Sequence, residues 1–101
     1  MNFNNKSAGF FIPDNTDLET ALSRTTHMAI GAHQDDLEIM AYHGIEACFQ
    51  QPNKHFTGVV VTNGSGSARD SLYKEYTDQM MIDVRKKEQI KAAFVGEFSA
   101  L

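Results

Sequence analysis

The chain reads as the opening of a doubly wound α/β fold, a parallel sheet with helices packed on it. Three observations carry that reading. Two short, almost wholly apolar runs, residues 26–32 and 56–62, have the continuous character of parallel strands covered on both faces. Between and after them the apolar residues change to helical spacing. Each run ends in a loop of small and polar residues, Ala32–Asp36 and Asn63–Ser67, and the carboxyl ends of strands are where such sheets place their sites.

Residues 1–24 read as an N-terminal arm and short helix, and residues 25–101 as the N-terminal part of an incomplete domain. The first residues are Asn-rich and then turn aromatic at Phe10, Phe11 and Ile12, as an arm laid over the domain would. Thr16-Asp17-Leu18-Glu19 fits a capping box, with Thr16 as N-cap and Glu19 reaching back. It opens a helix to about Ser23 with Leu18, Ala21 and Leu22 inward. After the first strand, Leu37, Met40, Ala41, Ile45 and Cys48 recur at helical spacing until Pro52 closes the segment. Asp36 and Glu38 fall in its first turn, where the helix dipole favours acids.

The second strand contains Val59-Val60-Val61, poor helix formers that suit a pleated surface. One helical turn is expected around Leu72–Tyr76, then a longer helix over about 78–95 with Ile82, Gln89, Ile90, Ala93 and Phe94 on one side. Gly96 is the expected left-handed stop. Residues 97–101 would begin a third strand, so the fold is expected to be truncated after about two and a half βα units.

Composition excludes several classes. A length of 101 residues allows one domain. A hydrophobic content of 42% with 22% charge argues for a globular chain. The net charge of −4 argues against nucleic acid as a partner, because Arg85-Lys86-Lys87, the tightest basic group, is interleaved with acids. No apolar run reaches the roughly 18 residues of a membrane span, and the first ten residues lack a signal-peptide core. Cys48 stands alone, so neither an internal disulfide nor a cysteine zinc cage can form. The expected location is cytoplasmic.

The chemistry lies in Ala32-His33-Gln34-Asp35-Asp36-Leu37-Glu38, where a strand gives way to a helix. A hydrolytic zinc site commonly has three His or carboxylate ligands and an open position for water, with a nearby carboxylate to take the proton. His33 and Asp36 are the plausible ligand pair and Asp35 the plausible base. A third ligand is required. His43 lies too far along the helix from Asp36, about 10.5 Å at roughly 1.5 Å per residue. His27 and His55 fall at the opposite ends of their strands, so the third ligand is absent from this chain.

The motif Ala32–Glu38 resembles the AHPDD(x)E signature of the PIG-L/LmbE-like zinc-dependent de-N-acetylases. Val59-Val60-Val61-Thr62-Asn63-Gly64 is similar to that family's second strand and following loop, and Arg85-Lys86-Lys87-Glu88 with Ala92, Ala93 and Gly96 to its Arg-x-x-Glu helix. Order and spacing agree over residues 26–96. The resemblance implies a Rossmann-like parallel sheet with flanking helices. It also implies hydrolysis of an N-acetyl amide on an N-acetylglucosamine-type sugar conjugate. His33 and Asp36 would ligate Zn²⁺, with Fe²⁺ suiting the same donors, and Asp35 would activate the water. Arg85 would hold sugar hydroxyls, and Glu88 would be a structural partner.

Two departures stand out. Gln34 replaces the usual Pro, which restores an N–H and is expected to leave the ligand loop less rigid. Tyr42-His43-Gly44 replaces a Gly-rich helix segment and is expected to alter packing on the sheet. The family's later His-x-x-Asp-His-type segment, source of the third ligand and an acid, has no counterpart here. The chain is therefore expected to be inactive alone, with both sheet edges open and aggregation-prone. The full-length protein could be a homo-oligomer. Rival readings are a phosphate- or nucleotide-binding domain using Asn63–Ser67, an aspartate-based magnesium site, and a non-catalytic fragment or interaction module.

Overall fold

A computed structural model describes residues 2–101. The element order is α1 (Leu18–Ser23), β1 (His27–Gly31), α2 (Asp36–Met40), α3 (Tyr42–Cys48), β2 (Phe56–Val60) and α4 (Asp78–Val95). A 3-10 turn, Ser71–Tyr73, precedes α4. β1 and β2 pair in parallel, His27 opposite Phe56 through Gly31 opposite Val60. The chain is thus an α/β protein with a two-stranded parallel sheet and flanking helices. No described helix is long and apolar enough to cross a membrane.

Register divides the side chains between two faces, because successive strand residues point to opposite sides. Ala29, Phe56 and Val60 join Leu37, Ile45, Cys48, Ala93 and Phe98 in the main core. The Phe56 and Phe98 rings meet edge to face with centroids 4.7 Å apart. On the other face a smaller cluster of Ile12, Ala21 and Ala100, with Leu18 against it, covers only the amino end. Met28 and Ile30 are 61% and 64% exposed there, so the expected cover on both faces is present for only part of the sheet.

Residues 97–101 do add to the sheet. Ala100 bridges Thr57 in parallel, Ser99 N–H donates to the Phe56 carbonyl, and Gly58 N–H donates to the Ala100 carbonyl. Beyond them Phe11 and Leu101 exchange both backbone hydrogen bonds, at 2.8 and 2.9 Å. The N-terminal arm thereby covers an edge expected to be open. Among the described residues, the outer edge of β1 has no strand partner.

Several boundaries move by a residue. The cap of α1 is Asp17, which accepts from Thr20 N–H, in place of Thr16. The single helix expected from Asp36 to Cys48 breaks at Ala41, whose φ of −112° and ψ of 19° lie outside the helical region. Nothing in the local sequence marks that break. Leu37 before it and Ile45 after it enter one core, while Met40 stays exposed. Leu22 and Phe94, expected inward, are also exposed, and Met81 is buried on α4 together with Gln89 and Ala93. Gly96 is right-handed (φ −79°), and Glu97 takes the left-handed position (φ 55°). There Glu97 N–H donates to Phe94 and Phe98 N–H to Ala93, a Schellman closure that drives Phe98 into the core.

Candidate functional site

β1 ends at Gly31 and α2 begins at Asp36, so the four residues between them form the mouth of the strand. Asp36 closes this turn on itself: its Oδ2 accepts from His33 N–H at 2.9 Å. The same oxygen lies 3.7 Å from His33 Nδ1. Asp35 sits between them at φ 74°, in the left-handed region, which costs a non-glycine residue about 1–2 kcal/mol. A neighbouring element must hold it there.

That element is α4. Arg85 Nη2 donates to Asp35 Oδ2 at 3.0 Å and to the Gln34 carbonyl at 3.3 Å. Arg85 Nη1 donates to Glu88 Oε2 at 2.6 Å. Asp35 N–H donates to Gln89 Oε1 at 3.2 Å, and Gln89 Nε2 donates to Glu38 Oε1 at 2.7 Å. The Arg85 side chain is 19% exposed and that of Asp35 58%. Burial alone would lower the pKa of Arg85, but Asp35 and Glu88 beside it outweigh burial and hold it above its ordinary value. Its charge is therefore fixed.

The loop after β2 meets the same place. Gln34 is buried, and its Nε2 donates to the Thr62 carbonyl at 2.8 Å. The freedom expected from the missing Pro is opposed by this tether. Gly64 adopts φ +84°, and a Cβ there would stand 2.7 Å from Arg85 Cβ and Cγ. Glycine is favoured on both counts, since it takes that φ without a Cβ penalty and leaves room for α4. Arg69 gathers the rest of the loop, donating to the carbonyls of Ser65, Ser67 and Tyr76 and pairing with Asp78.

All four site residues named from sequence therefore gather at one loop: His33 with Asp36, and Asp35 with Arg85. Glu88 is the partner of Arg85. Two contributors went unrecognised. The sequence marks Gln34 only as the absence of a Pro, and Gln89 only as one residue of a helix side. The signal for Gln89 is a polar amide amid apolar neighbours and one turn from Arg85.

The donors fit a metal in part. Two atoms bound to one Zn²⁺ at about 2 Å each lie roughly 3–4 Å apart, which His33 Nδ1 and Asp36 Oδ2 satisfy. Among the described residues, no group of three or more His, Cys, Asp or Glu is placed to hold a metal. His43 is exposed on α3. His27 Nδ1 lies 3.3 Å from Cys48 Sγ, at the amino end of the sheet. A cavity of about 310 Å³ also lies away from the cluster, lined by Arg24, Cys48, Lys54, His55 and Ser99 among others.

Fold and cluster together define a small α/β protein with an imidazole–carboxylate–guanidinium site at the carboxyl end of a parallel strand pair. No family model, no curated protein and no solved structure matches the chain.

Proposed function

We propose that the Ala32–Asp36 loop is the metal-and-base corner of a hydrolase acting on amides. His33 and Asp36 hold the cation, Zn²⁺ with Fe²⁺ as the alternative, and Asp35 is the general base. The substrate in this reading is an N-acetyl amide on an N-acetylglucosamine-type sugar conjugate, the class belonging to the PIG-L/LmbE-like enzymes that the motif resembles. The observation that carries the reading is the 3.7 Å separation of His33 Nδ1 and Asp36 Oδ2, with a second carboxylate on the residue between.

A bound metal supplies a water of lowered pKa and polarises the scissile carbonyl. The chain's own residues do the rest. The Asp36 bond to His33 N–H shapes the turn that carries the imidazole. Arg85 holds Asp35 Oδ2, and among the described residues no hydrogen bond occupies Oδ1, the oxygen that accepts the proton. Arg85 commits Nη2 to the loop and one Nη1 hydrogen to Glu88, and its Nε is buried, so its role here is to fix Asp35, with at most the second Nη1 hydrogen left for a sugar hydroxyl. A third donor is needed for firm metal binding and turnover, because two ligands hold zinc weakly.

The phosphate reading of Asn63–Ser67 is weaker. Ser65 N–H is taken by Asn63 Oδ1 and Ser67 N–H by the Gly64 carbonyl, so two amides that would cradle an anion are occupied. The test is a titration of the protein with Zn²⁺ and Co²⁺, with His33→Ala and Asp36→Asn beside it. Cation binding lost in both variants supports the reading. Binding of equal strength in all three proteins overturns it and leaves a non-catalytic module. Amine release from an N-acetylglucosamine conjugate, abolished by Asp35→Asn, would establish the substrate class and overturn the expectation that the chain is inactive alone.

A further inference from the structure

Gln89 is 4% exposed, and a buried amide is tolerated only when both its ends are hydrogen-bonded. Both are. The partners also fix which way the amide points: Asp35 N–H can only donate, so it faces Oε1, and the Glu38 carboxylate can only accept, so it faces Nε2. One orientation satisfies both, and no apolar residue can. Gln89 thus ties the strained Asp35 backbone to the first turn of α2, on which Asp36 also stands.

From this geometry we infer that Gln89 is a positioning residue for the site. It acts through the Asp35 N–H, holding that residue in the left-handed conformation from which its carboxylate reaches Arg85 and around which His33 and Asp36 converge. Arg85, one turn earlier on α4, secures the side chain of the same residue. The functional meaning of this role rests on the metal-and-base reading above, but its structural content does not.

The test is a cobalt titration of the 101-residue protein, read by visible absorption, in four forms: unmutated, Gln89→Met, Asp35→Gly, and both together. Methionine has similar length and good helix propensity but accepts no bond from Asp35 N–H. Gln89→Met should weaken Co²⁺ binding about tenfold, as loss of a group supporting a ligand does. Glycine adopts the left-handed turn unaided, so in the Asp35→Gly background the same change should cost less than about twofold. An equal loss in both backgrounds overturns the inference.

If the unmutated protein binds no Co²⁺, the metal reading fails and the positioning role is decided by NMR alone. The strong intraresidue HN–Hα Overhauser effect of a positive φ at Asp35 should vanish in Gln89→Met and return in Gln89→Glu combined with Glu38→Gln, which keeps the acceptor for Asp35 N–H and reverses the second bond. Its persistence in Gln89→Met overturns the role. Should that variant not fold, amide exchange in the unmutated chain decides, and an Asp35 N–H exchanging as fast as an open loop amide refutes it.

Discussion

The two faces of the sheet differ in how they are covered. One carries Ala29, Phe56 and Val60 under α2, α3, α4 and Phe98. The other is covered by α1 and the arm only near its amino end, through Ile12, Ala21 and Ala100, and leaves Met28, Ile30, Val59 and Val61 exposed. Stability and site geometry both belong to the first face. The same helices that bury Phe56 carry Asp36, Arg85 and Gln89 to the strand ends, so packing and polar placement are one construction.

Five changes, four substitutions and a fall in pH, would break or sharpen that contrast. The largest effect is expected from Phe56→Ala on the covered face. Phe56 is buried and meets Phe98 edge to face, and its truncation should cost about 3–5 kcal/mol in urea unfolding, a large part of a small domain's stability. A cost below about 1 kcal/mol would mean that this face is not the core. Next is Gly58→Ala. A Cβ at Gly58 would lie 2.6 Å from Leu37 Cδ1, so overpacking should cost about 1–3 kcal/mol. It should also perturb the NMR signals of Asp36, next to Leu37 on α2.

On the exposed face, Ile30→Thr and Val61→Thr should each change stability by no more than about 0.5 kcal/mol while raising solubility, read by light scattering. A clear loss of stability would show the face to be covered in solution. The smallest effect is a pH dependence of α1, the partial cover of that face. The Thr20 hydroxyl and N–H beside Asp17 lower its pKa below the ordinary 3.8. The charged cap is therefore fully effective above 3.8 and is lost as pH falls through the lowered value. Far-UV circular dichroism or the Thr20 amide shift should follow that loss, and Asp17→Ala should abolish it.

Local sequence was strong where one residue decides. Val59 and Val60 lie in β2, and a helix expected over about 78–95 is α4, Asp78–Val95. The Thr77 side chain caps it by accepting from Met80 N–H. His33, Asp35, Asp36 and Arg85 could be named because strand ends and helix starts are readable from pattern, and such ends gather at one edge of a parallel sheet. The break at Ala41 is not readable, because no Gly or Pro marks it and the apolar spacing runs through it unchanged. The exposure of Met28 and Ile30 is not legible for the complementary reason. An apolar strand residue shows its preference for burial, not whether a neighbour exists to bury it.

The sequence by itself determined the α–β alternation, the lone thiol, the acidic balance and the His33–Asp36 motif, since each is set by residue type and spacing along the chain. Only the tertiary structure decided that Gln34 is a tether and Glu97 the left-handed stop. It alone also decided that the arm pairs with Leu101 and that Gln89 reaches Asp35. Those outcomes depend on partners far apart in sequence, Gln89 and Asp35 being 54 residues apart, and a hydrogen bond across such a distance exists only once packing has brought its two ends together.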